Sequence, residues 1–400
     1  MPSLEGRTLW LAGIGGAGMS GYAILARAWG AEVSGWDRRE TPYLSGVRAA
    51  GIPVQISEAP PEPPEGAEAF VSSAFTSQVE GGSRAELLAE LVGLAETIVV
   101  AGAHGKTTTT AMIAFVLDRL GRDPSFLVGG EIPQLGGNAR AGSGWLVVEG
   151  DESDRSVFSL RPKIAVITNV DLDHHTTFAS EAELDEAFRD WSRCLAPEHV
   201  VWGQELEPVE LELTIPGEHN RRNAAAALAG LALAGVTEAD AKPVLAEFAG
   251  AHRRLEPRGE AAGIRFYDDY GHHPAEIAAT LAAARGLADG GRVLVLFQPH
   301  LYSRTLHLAP ELASALAEAD IACVTDIYPA REDPLPGVSG KLVVDRLAEL
   351  RPGMRVGWAP RLADAVALLV GEVRSGDLVL TVGAGDVDSA LPLLEELVAR

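Results

Sequence analysis

The chain has 400 residues, 47% of them hydrophobic and 22% charged, which is the composition of a soluble globular protein with two or three domains. Its formal net charge of −23 argues against nucleic acid and against an anionic membrane surface as partners. No apolar run reaches the roughly 18 residues that cross a bilayer, and the N-terminus does not resemble an export signal. The two cysteines, Cys194 and Cys323, have no metal-ligand spacing and fit a reducing compartment, so we expect a cytoplasmic protein.

The first 37 residues predict a β-α-β unit with a glycine-rich turn between the first strand and the helix. Gly13, Gly15 and Gly18 have the spacing of a dinucleotide-binding loop, and Asp37 follows nineteen residues after Gly18. In such a loop, backbone N–H groups at a helix N-terminus bind a diphosphate. The motif alone therefore leaves a nicotinamide-dependent oxidoreductase open.

A second unit starts with a strand that runs into the segment "AGAHGKTTTT" and then into a long helix. Gly102 and Gly105 allow the backbone to close around phosphate oxygens, Lys106 adds a positive charge, and the Thr107 hydroxyl can ligate Mg²⁺. The strict form of this phosphate-binding loop, or P-loop, has a glycine five positions before Gly105, where this chain has Val100. The segment thus predicts a shortened P-loop that binds ATP.

Acidic and histidine residues follow two further strands of the same unit. Glu149 ends one strand, where its carboxylate suits a hard cation. The acids that follow it, residues 151–154, fit a solvated loop about equally well. A second strand ends at Asn169, and His174 lies shortly after it. We expect these strand ends to open on the same face as Lys106, with His174 as a further metal ligand or phosphate contact.

Asparagine and arginine residues mark the end of the second unit. Asn220 and Asn223 lie on one face at the start of a predicted helix, where their amides could match an adenine edge or simply cap the helix. Arg253 and Arg254 lie at the junction with the third unit, where an arginine could clamp a transferred phosphoryl group.

The third unit places many polar side chains directly after apolar strands, which packing alone does not explain. They are Asp268, Asp269, Tyr270, His272, His273, His300, Tyr302 and Arg304. Helices are predicted near residues 19–29, 181–194, 221–234, 237–249, 274 onwards and 308–319. The continuous apolar strands between them predict parallel sheets covered by helices.

These patterns predict an α/β protein of three domains. The domains are a Rossmann-like domain over 1–94, a central P-loop ATPase-type domain over 95–249, and a C-terminal Rossmann-like domain over 250–400. The implied cofactors are ATP and Mg²⁺, used to join two substrates held by different domains.

Seven segments of the chain resemble the Mur ligases of bacterial cell-wall synthesis. They are "GIGGAGMSG", "AGAHGKTTTT", "EGDESD", "TNVDLDHH", "GEHNRRNAAAA", "DDYGHHPAEI" and "FQPHLYSRT". The first and the sixth favour the family member that adds L-alanine over those that act later in the pathway. The resemblance implies that ATP activates the carboxylate of UDP-N-acetylmuramate as an acyl phosphate, which the amine of L-alanine then attacks.

The resemblance also assigns residues. It implies catalytic or ATP-binding roles for Gly102, His104, Gly105, Lys106, Thr107, Thr108, Glu149, His174, Asn220, Asn223, Arg254 (or its neighbour Arg253), Asp268 and Asp269, with Thr107, Glu149 and His174 as metal ligands. It implies UDP-sugar contacts at Gly13, Gly15, Gly16, Ala17, Gly18, Met19, Ser20, Ser72 and Ser73, with Asp37 either a contact or a plain strand-end acid. It implies amino-acid contacts at Tyr270, His272, His300 and Arg304.

Two alternatives within the resemblance stay open. One is the recycling ligase that attaches a tripeptide to the same nucleotide sugar, and the other is a non-catalytic nucleotide-sugar-binding homologue. For either ligase we expect a monomer or a weak homodimer.

Overall fold

The computed structural model describes residues 2–172, 177–330 and 332–399. Its strands form three sheets, of five, six and six strands. The chain divides into an N-terminal unit, Met1–Thr214 with His219–His252, and a C-terminal unit, Ile215–Glu218 with Arg253–Arg400. The first two sheets belong to the N-terminal unit. The predicted α/β class with mainly parallel sheets is confirmed.

The first sheet has the strand order β3-β2-β1-β4-β5, and all its pairs are parallel. Its strands are β1 (Thr8–Ala12), β2 (Glu32–Asp37), β3 (Val54–Ile56), β4 (Glu68–Val71) and β5 (Gly82–Ser83), and its helices are α1 (Ala17–Ala28), α2 (Leu44–Ala49) and α3 (Arg84–Gly93). This is the order of a Rossmann half-sheet, which binds ligands where the strand order reverses, between β1 and β4. The glycine loop follows β1 and therefore lies at that point.

The second sheet has the order β11-β10-β6-β9-β7-β8, parallel except for β8. Its strands are β6 (Thr97–Ala101), β7 (Ser125–Ile132), β8 (Gly137–Arg140), β9 (Leu146–Glu149), β10 (Ile164–Ile167) and β11 (Val200–Trp202), and its helices are α4 (Lys106–Arg119), α5 (Glu181–Ser192), α6 (Glu218–Leu233) and α7 (Glu238–Leu245). Strand β6 is buried throughout and lies between β9 and β10. The loops after these three strands consequently meet at one edge.

Helix α1 joins the first two sheets, because it packs on the β7–β8 hairpin. A Cβ atom on Gly21 would lie 2.7 Å from Leu127 and 3.2 Å from Ala139, so the small residue allows a close approach. The Asn138 side-chain amide donates a hydrogen bond of 2.8 Å to the Ala17 carbonyl in the first turn of α1. The glycine loop is thereby positioned relative to the central sheet.

The C-terminal sheet has the order β12-β13-β17-β14-β15-β16, parallel except for β12. Its strands are β12 (Glu256–Ala261), β13 (Ile264–Asp269), β14 (Val293–Phe297), β15 (Ile321–Val324), β16 (Arg355–Trp358) and β17 (Leu378–Val382), and its helices are α8 (Pro274–Ala288), α9 (Tyr302–Leu316), α10 (Lys341–Leu350), α11 (Leu362–Val370) and α12 (Leu391–Ala399). The apolar side chains of β13, β14 and β17 form cores on both faces of the sheet. The polar side chains are therefore left at the strand ends.

One helix starts earlier than the sequence predicts. Helix α9 begins at Tyr302 and not near residue 308, so Tyr302 and Arg304 belong to its first turn. The apolar periodicity becomes strong only further along the helix, which explains the error. In the described part of the chain, no helix has both the length and the apolar character needed to span a membrane.

Arg253 holds the strand ends of the C-terminal unit together. Its guanidinium contacts the Asp268 carboxylate at 2.9 Å and donates to the carbonyls of Gly383 and Gly385 at 2.7 and 2.9 Å. The side chain of Asp268 is fully buried. Because a buried carboxylate is costly without its partner, this contact stabilises the exits of β13 and β17.

Replacing Arg253 with methionine should therefore lower the free energy of unfolding by roughly 3 kcal/mol, since Asp268 would lose its cation in a buried place. Scanning calorimetry would measure the change. Arg258→Met is the matched control, because its guanidinium lies 3.5 Å from Glu256 on a more exposed strand and should contribute under about 1 kcal/mol. Equal losses in both variants would contradict the assignment of a structural role to Arg253.

Candidate active site

The glycine loop is held in shape by its own neighbours. Gly15 donates its N–H to the Asp37 carboxylate at 2.8 Å, and its carbonyl accepts a hydrogen bond of 2.7 Å from the Thr41 hydroxyl. Gly13 has a φ of 80°, and a Cβ there would lie 2.7 Å from that of Ser72. Asp37 therefore orders the loop, and it is buried to all but 6%. A contact between Asp37 and the substrate stays a prediction.

The first turn of α1 follows this loop and presents backbone N–H groups that have no acceptor within the helix. Gly16 caps the helix without a side-chain hydrogen bond, and the first turn contains no acidic residue. The N–H groups of Ala17, Gly18 and Met19 are among those that no carbonyl of the helix can accept. Such a turn favours an anion. Ser20 is buried on the same helix.

Two serines follow the neighbouring strand β4. Ser72 is half-buried and donates its backbone N–H to the Ala12 carbonyl at 3.0 Å, directly before the glycine loop. Ser73 is exposed. The predicted UDP-sugar residues of β1, α1 and β4 therefore lie in one part of the first sheet.

The P-loop after β6 is shaped by residues that follow β10. The Thr168 hydroxyl and the Asn169 amide donate to the His104 carbonyl at 2.7 and 2.8 Å, and the Asn169 side-chain oxygen accepts from the His104 N–H. The His104 ring lies 3.2 Å from the Asp171 carboxylate. Gly105 has a φ of 77° and is the N-cap of α4. The loop is thus fixed by contacts within the chain.

Lys106 is turned onto the loop itself. Its ammonium donates to the carbonyls of Gly102 and Ala103 at 2.7 and 3.1 Å and to the Glu152 carboxylate at 2.8 Å. Burial would lower the pKa of Lys106, but Glu152 and Asp151 outweigh it and raise that pKa. Burial raises the pKa of Glu152 to about 7, which Lys106 opposes. Glu152, whose function the sequence left open, is therefore the counterion of the P-loop lysine.

The first two predicted metal ligands lie together. The Thr107 hydroxyl donates to Glu149 at 2.9 Å, and the other oxygen of that carboxylate accepts the Gly129 N–H at 2.6 Å. A hydroxyl and a carboxylate beside a P-loop are oxygen donors of the type that Mg²⁺ requires. The residues present therefore fit that ion. His174, the third predicted ligand, lies outside the described residues.

Helix α6 brings the two predicted adenine-binding amides beside the P-loop. A Cβ on Gly105 would overlap the side-chain oxygen of Asn223, and the Asn223 amide lies 3.4 Å from the Asn220 side-chain oxygen. Thr108, another predicted ATP contact, has only 5% of its surface exposed in the first turn of α4. The adenine assignment itself stays a prediction.

The C-terminal unit gathers its predicted amino-acid residues into one aromatic row. The rings of Tyr270 and His272 are 5.7 Å apart, as are those of His272 and His300, and His300 stacks on Tyr328 at 5.9 Å. Arg304 contacts the His300 ring at 3.2 Å. Tyr328 was missed in the sequence, where its only signal was a position shortly after an apolar strand.

The predicted ATP-side residues of this unit differ in how far they are hydrogen-bonded within the fold. Asp268 accepts hydrogen bonds from Arg253 and Thr381, and Asp269 accepts the N–H groups of Leu255 and Gly271. Burial raises the pKa of Asp269 to about 6. Since Arg253 is committed to the fold, Arg254, which is about a quarter exposed beside Tyr270, is the better candidate for a phosphate contact.

Comparison with known proteins identifies the family. The Mur ligase family catalytic domain matches residues 11–94, the Mur ligase middle domain residues 100–191, and the Mur ligase glutamate ligase domain residues 253–385. The UDP-N-acetylmuramate–L-alanine ligase of Renibacterium salmoninarum is 41% identical over 94% of this chain and 93% of its own length. The chain belongs to the Mur ligase family. The resemblance read from the motifs is thereby confirmed.

Further relatives agree with this membership. The UDP-N-acetylmuramate–L-alanine ligase of Streptomyces coelicolor is 39% identical over 96% of each chain. Among solved structures, the UDP-N-acetylmuramate-alanine ligase of Thermotoga maritima superposes with a TM-score of 0.80 at 27% identity over 98% of both chains. The murein peptide ligase of Psychrobacter arcticus shares the Mur ligase fold with a TM-score of 0.66 at 21% identity.

Gly105→Ala should abolish ATP binding, because the added methyl group meets Asn223 at a residue whose positive φ already disfavours a side chain. Gly121→Ala is the matched control, since Gly121 has a similar φ of 70° but nothing within 4 Å of its Cβ position. Equilibrium binding of ATP would be measured for both folded variants. Undiminished binding by Gly105→Ala would contradict the proposed loop geometry.

Glu152→Gln should tighten ATP binding by about fivefold, because phosphate would no longer compete with a carboxylate for the Lys106 ammonium. The glutamine oxygen can still accept a hydrogen bond, so the packing is largely kept. Glu96→Gln serves as the control, since Glu96 is an exposed partner of Lys163. Titration calorimetry would decide, and weaker binding would mean that Glu152 positions the lysine for phosphate.

Proposed function

We propose that this chain joins L-alanine to the carboxylate of UDP-N-acetylmuramate at the expense of ATP, as a step of peptidoglycan precursor synthesis. The observation that carries the proposal is the adjacency of Lys106, Thr107 and Glu149 at a P-loop, in the same unit as a diphosphate-type glycine loop. Relatives of about 40% identity over nearly the full chain bear the name of that activity.

The proposed chemistry has two steps. A carboxylate oxygen of UDP-N-acetylmuramate attacks the γ-phosphorus of ATP, so that the bond to ADP breaks and an acyl phosphate forms. The amine of L-alanine then attacks the acyl carbon, phosphate leaves with the C–O electron pair, and the nitrogen loses a proton. Conversion to a mixed anhydride replaces a poor leaving group with a good one.

The N-terminal unit supplies most of the proposed phosphate chemistry. The Lys106 ammonium exchanges Glu152 for the transferred phosphoryl group and neutralises its charge. The backbone amides at Gly102, Gly105 and Thr108 orient the phosphates. Thr107 and Glu149 would hold Mg²⁺, which when bound neutralises phosphate charge. His104, His174, Asn220 and Asn223 stay proposed ATP-side residues.

The remaining assignments are also proposals. In the C-terminal unit Arg254, Asp268 and Asp269 are proposed for ATP, and Tyr270, His272, His300 and Arg304 for L-alanine. The UDP-sugar is proposed to bind at residues 13–20 and at Ser72 and Ser73. The division into domains over 1–94, 95–249 and 250–400, and a cytoplasmic location, belong to the same proposal.

The competing hypotheses leave specific residues without a function. An oxidoreductase would not need Lys106 or Glu149, and Asp37, which would bind the adenosine ribose of a dinucleotide, accepts a hydrogen bond from Gly15. A non-catalytic homologue would not need the contact of Thr107 with Glu149. The recycling ligase shares all these features and is separated by its amino substrate.

Phosphate release from ATP and Mg²⁺ should require both UDP-N-acetylmuramate and L-alanine, and should fall to background in Lys106→Ala. The variant loses the ammonium that the P-loop provides for phosphate charge. A colorimetric phosphate assay, with mass spectrometry of the nucleotide product, would measure it. A matched control is Lys163→Ala, which removes an exposed lysine of the same unit.

The same assay discriminates between the alternatives. Phosphate release that ignores the amino acid would overturn the ligase proposal. Release that requires the tripeptide and not L-alanine would identify the recycling activity, and tight UDP-sugar binding without any turnover would identify a non-catalytic homologue.

A further inference from the structure

Arg84 links the first sheet to the acidic segment after β9. It is the first residue of α3, and its guanidinium contacts Asp154 through Nε at 3.0 Å and through Nη2 at 2.6 Å. The same Nη2 contacts Asp151 at 3.0 Å. Two carboxylates therefore fix the plane of the guanidinium by two of its three nitrogens.

The third nitrogen of Arg84 points to the first turn of α1. Its Nη1 lies 3.8 Å from the Cβ position of Gly18, and the Tyr22 hydroxyl lies 3.3 Å from the same position. Among the described residues, neither atom has a hydrogen-bond acceptor within the chain. Two donors thus lie side by side at the glycine loop.

The ring of Tyr22 packs in the core of the N-terminal unit, and its hydroxyl lies at the edge of that core beside Gly18. Only 7% of the surface of Tyr22 is exposed, and its hydroxyl makes no hydrogen bond within the described part of the chain. Burial raises the pKa of Tyr22 to about 12, so the hydroxyl stays protonated and can donate. The hydroxyl oxygen is not one of the fully buried polar atoms without a partner, so it keeps an accessible side from which a bound acceptor can reach it.

We propose that Arg84 and Tyr22 bind an anionic oxygen of the nucleotide sugar. The inference rests on the proposed function and adds two residues to it. Arg84 also offsets the charge of Asp151 and Asp154, which would otherwise repel an anionic substrate between the glycine loop and the P-loop. The oxygen belongs either to the diphosphate or to the carboxylate that reacts with ATP.

Two ligands separate these sources, because UDP-N-acetylglucosamine has the diphosphate but lacks the carboxylate of UDP-N-acetylmuramate. Calorimetric titration of each ligand into the wild-type protein, Arg84→Gln and Tyr22→Phe would measure the dissociation constants. Arg84→Gln should weaken binding by roughly 10- to 100-fold, and Tyr22→Phe by about fivefold. Arg48→Gln is the matched control, since Arg48 pairs with Glu40 on the exposed helix α2 and should bind as the wild type does.

Each outcome has a definite meaning. Equal losses for both ligands assign the donors to the diphosphate, and a loss for UDP-N-acetylmuramate alone assigns them to the carboxylate. Unchanged binding of both ligands by both variants overturns the inference while the proposed function stands. A wild-type protein that binds neither ligand overturns both. Thermal unfolding checks that Arg84→Gln is folded, and Tyr22→Phe, which touches neither carboxylate, retains the test if it is not.

Discussion

The parallel order β9-β6-β10 is the constraint on which the active site depends. Because the carboxyl ends of these strands lie at one edge, Glu149, the P-loop and Asn169 are brought together although they are far apart in sequence. Thr168 and Asn169 donate hydrogen bonds to the His104 carbonyl, and Glu149 accepts one from Thr107. A register shift of β9 or β10 would therefore remove the hydrogen bonds that this strand end makes with the P-loop.

Electrostatics explains how a strongly acidic chain can provide a site for phosphates. Two cations at the phosphate-type loops, Lys106 and Arg84, are each paired with acids of the segment 151–154. These pairs keep positive groups in place against a net charge of −23. A phosphate that bound at Lys106 would exchange one anion for another, which costs less than burial of an unpaired ammonium.

Motifs with a backbone requirement were predictable, whereas the partners of side chains were not. The glycine spacing and the Lys-Thr pair located both phosphate-type loops, and strand ends located Glu149 and the aromatic row. The function of Glu152 and Arg84 depends on contacts across 46 and 70 residues, respectively, which no local pattern encodes. The short strands β3, β5 and β11 carry too few residues for an alternation to be recognised.

The hydrogen bond from the Gly15 N–H to Asp37 affects the entropy of ligand binding at the glycine loop. Asp37 and Thr41 hold the loop through hydrogen bonds from within the chain. A ligand then loses its own freedom on association but need not also immobilise the backbone, which improves affinity for a given set of contacts. The geometry of the loop is therefore set by the chain's own hydrogen bonds, and a ligand that matches it needs no further ordering of the backbone.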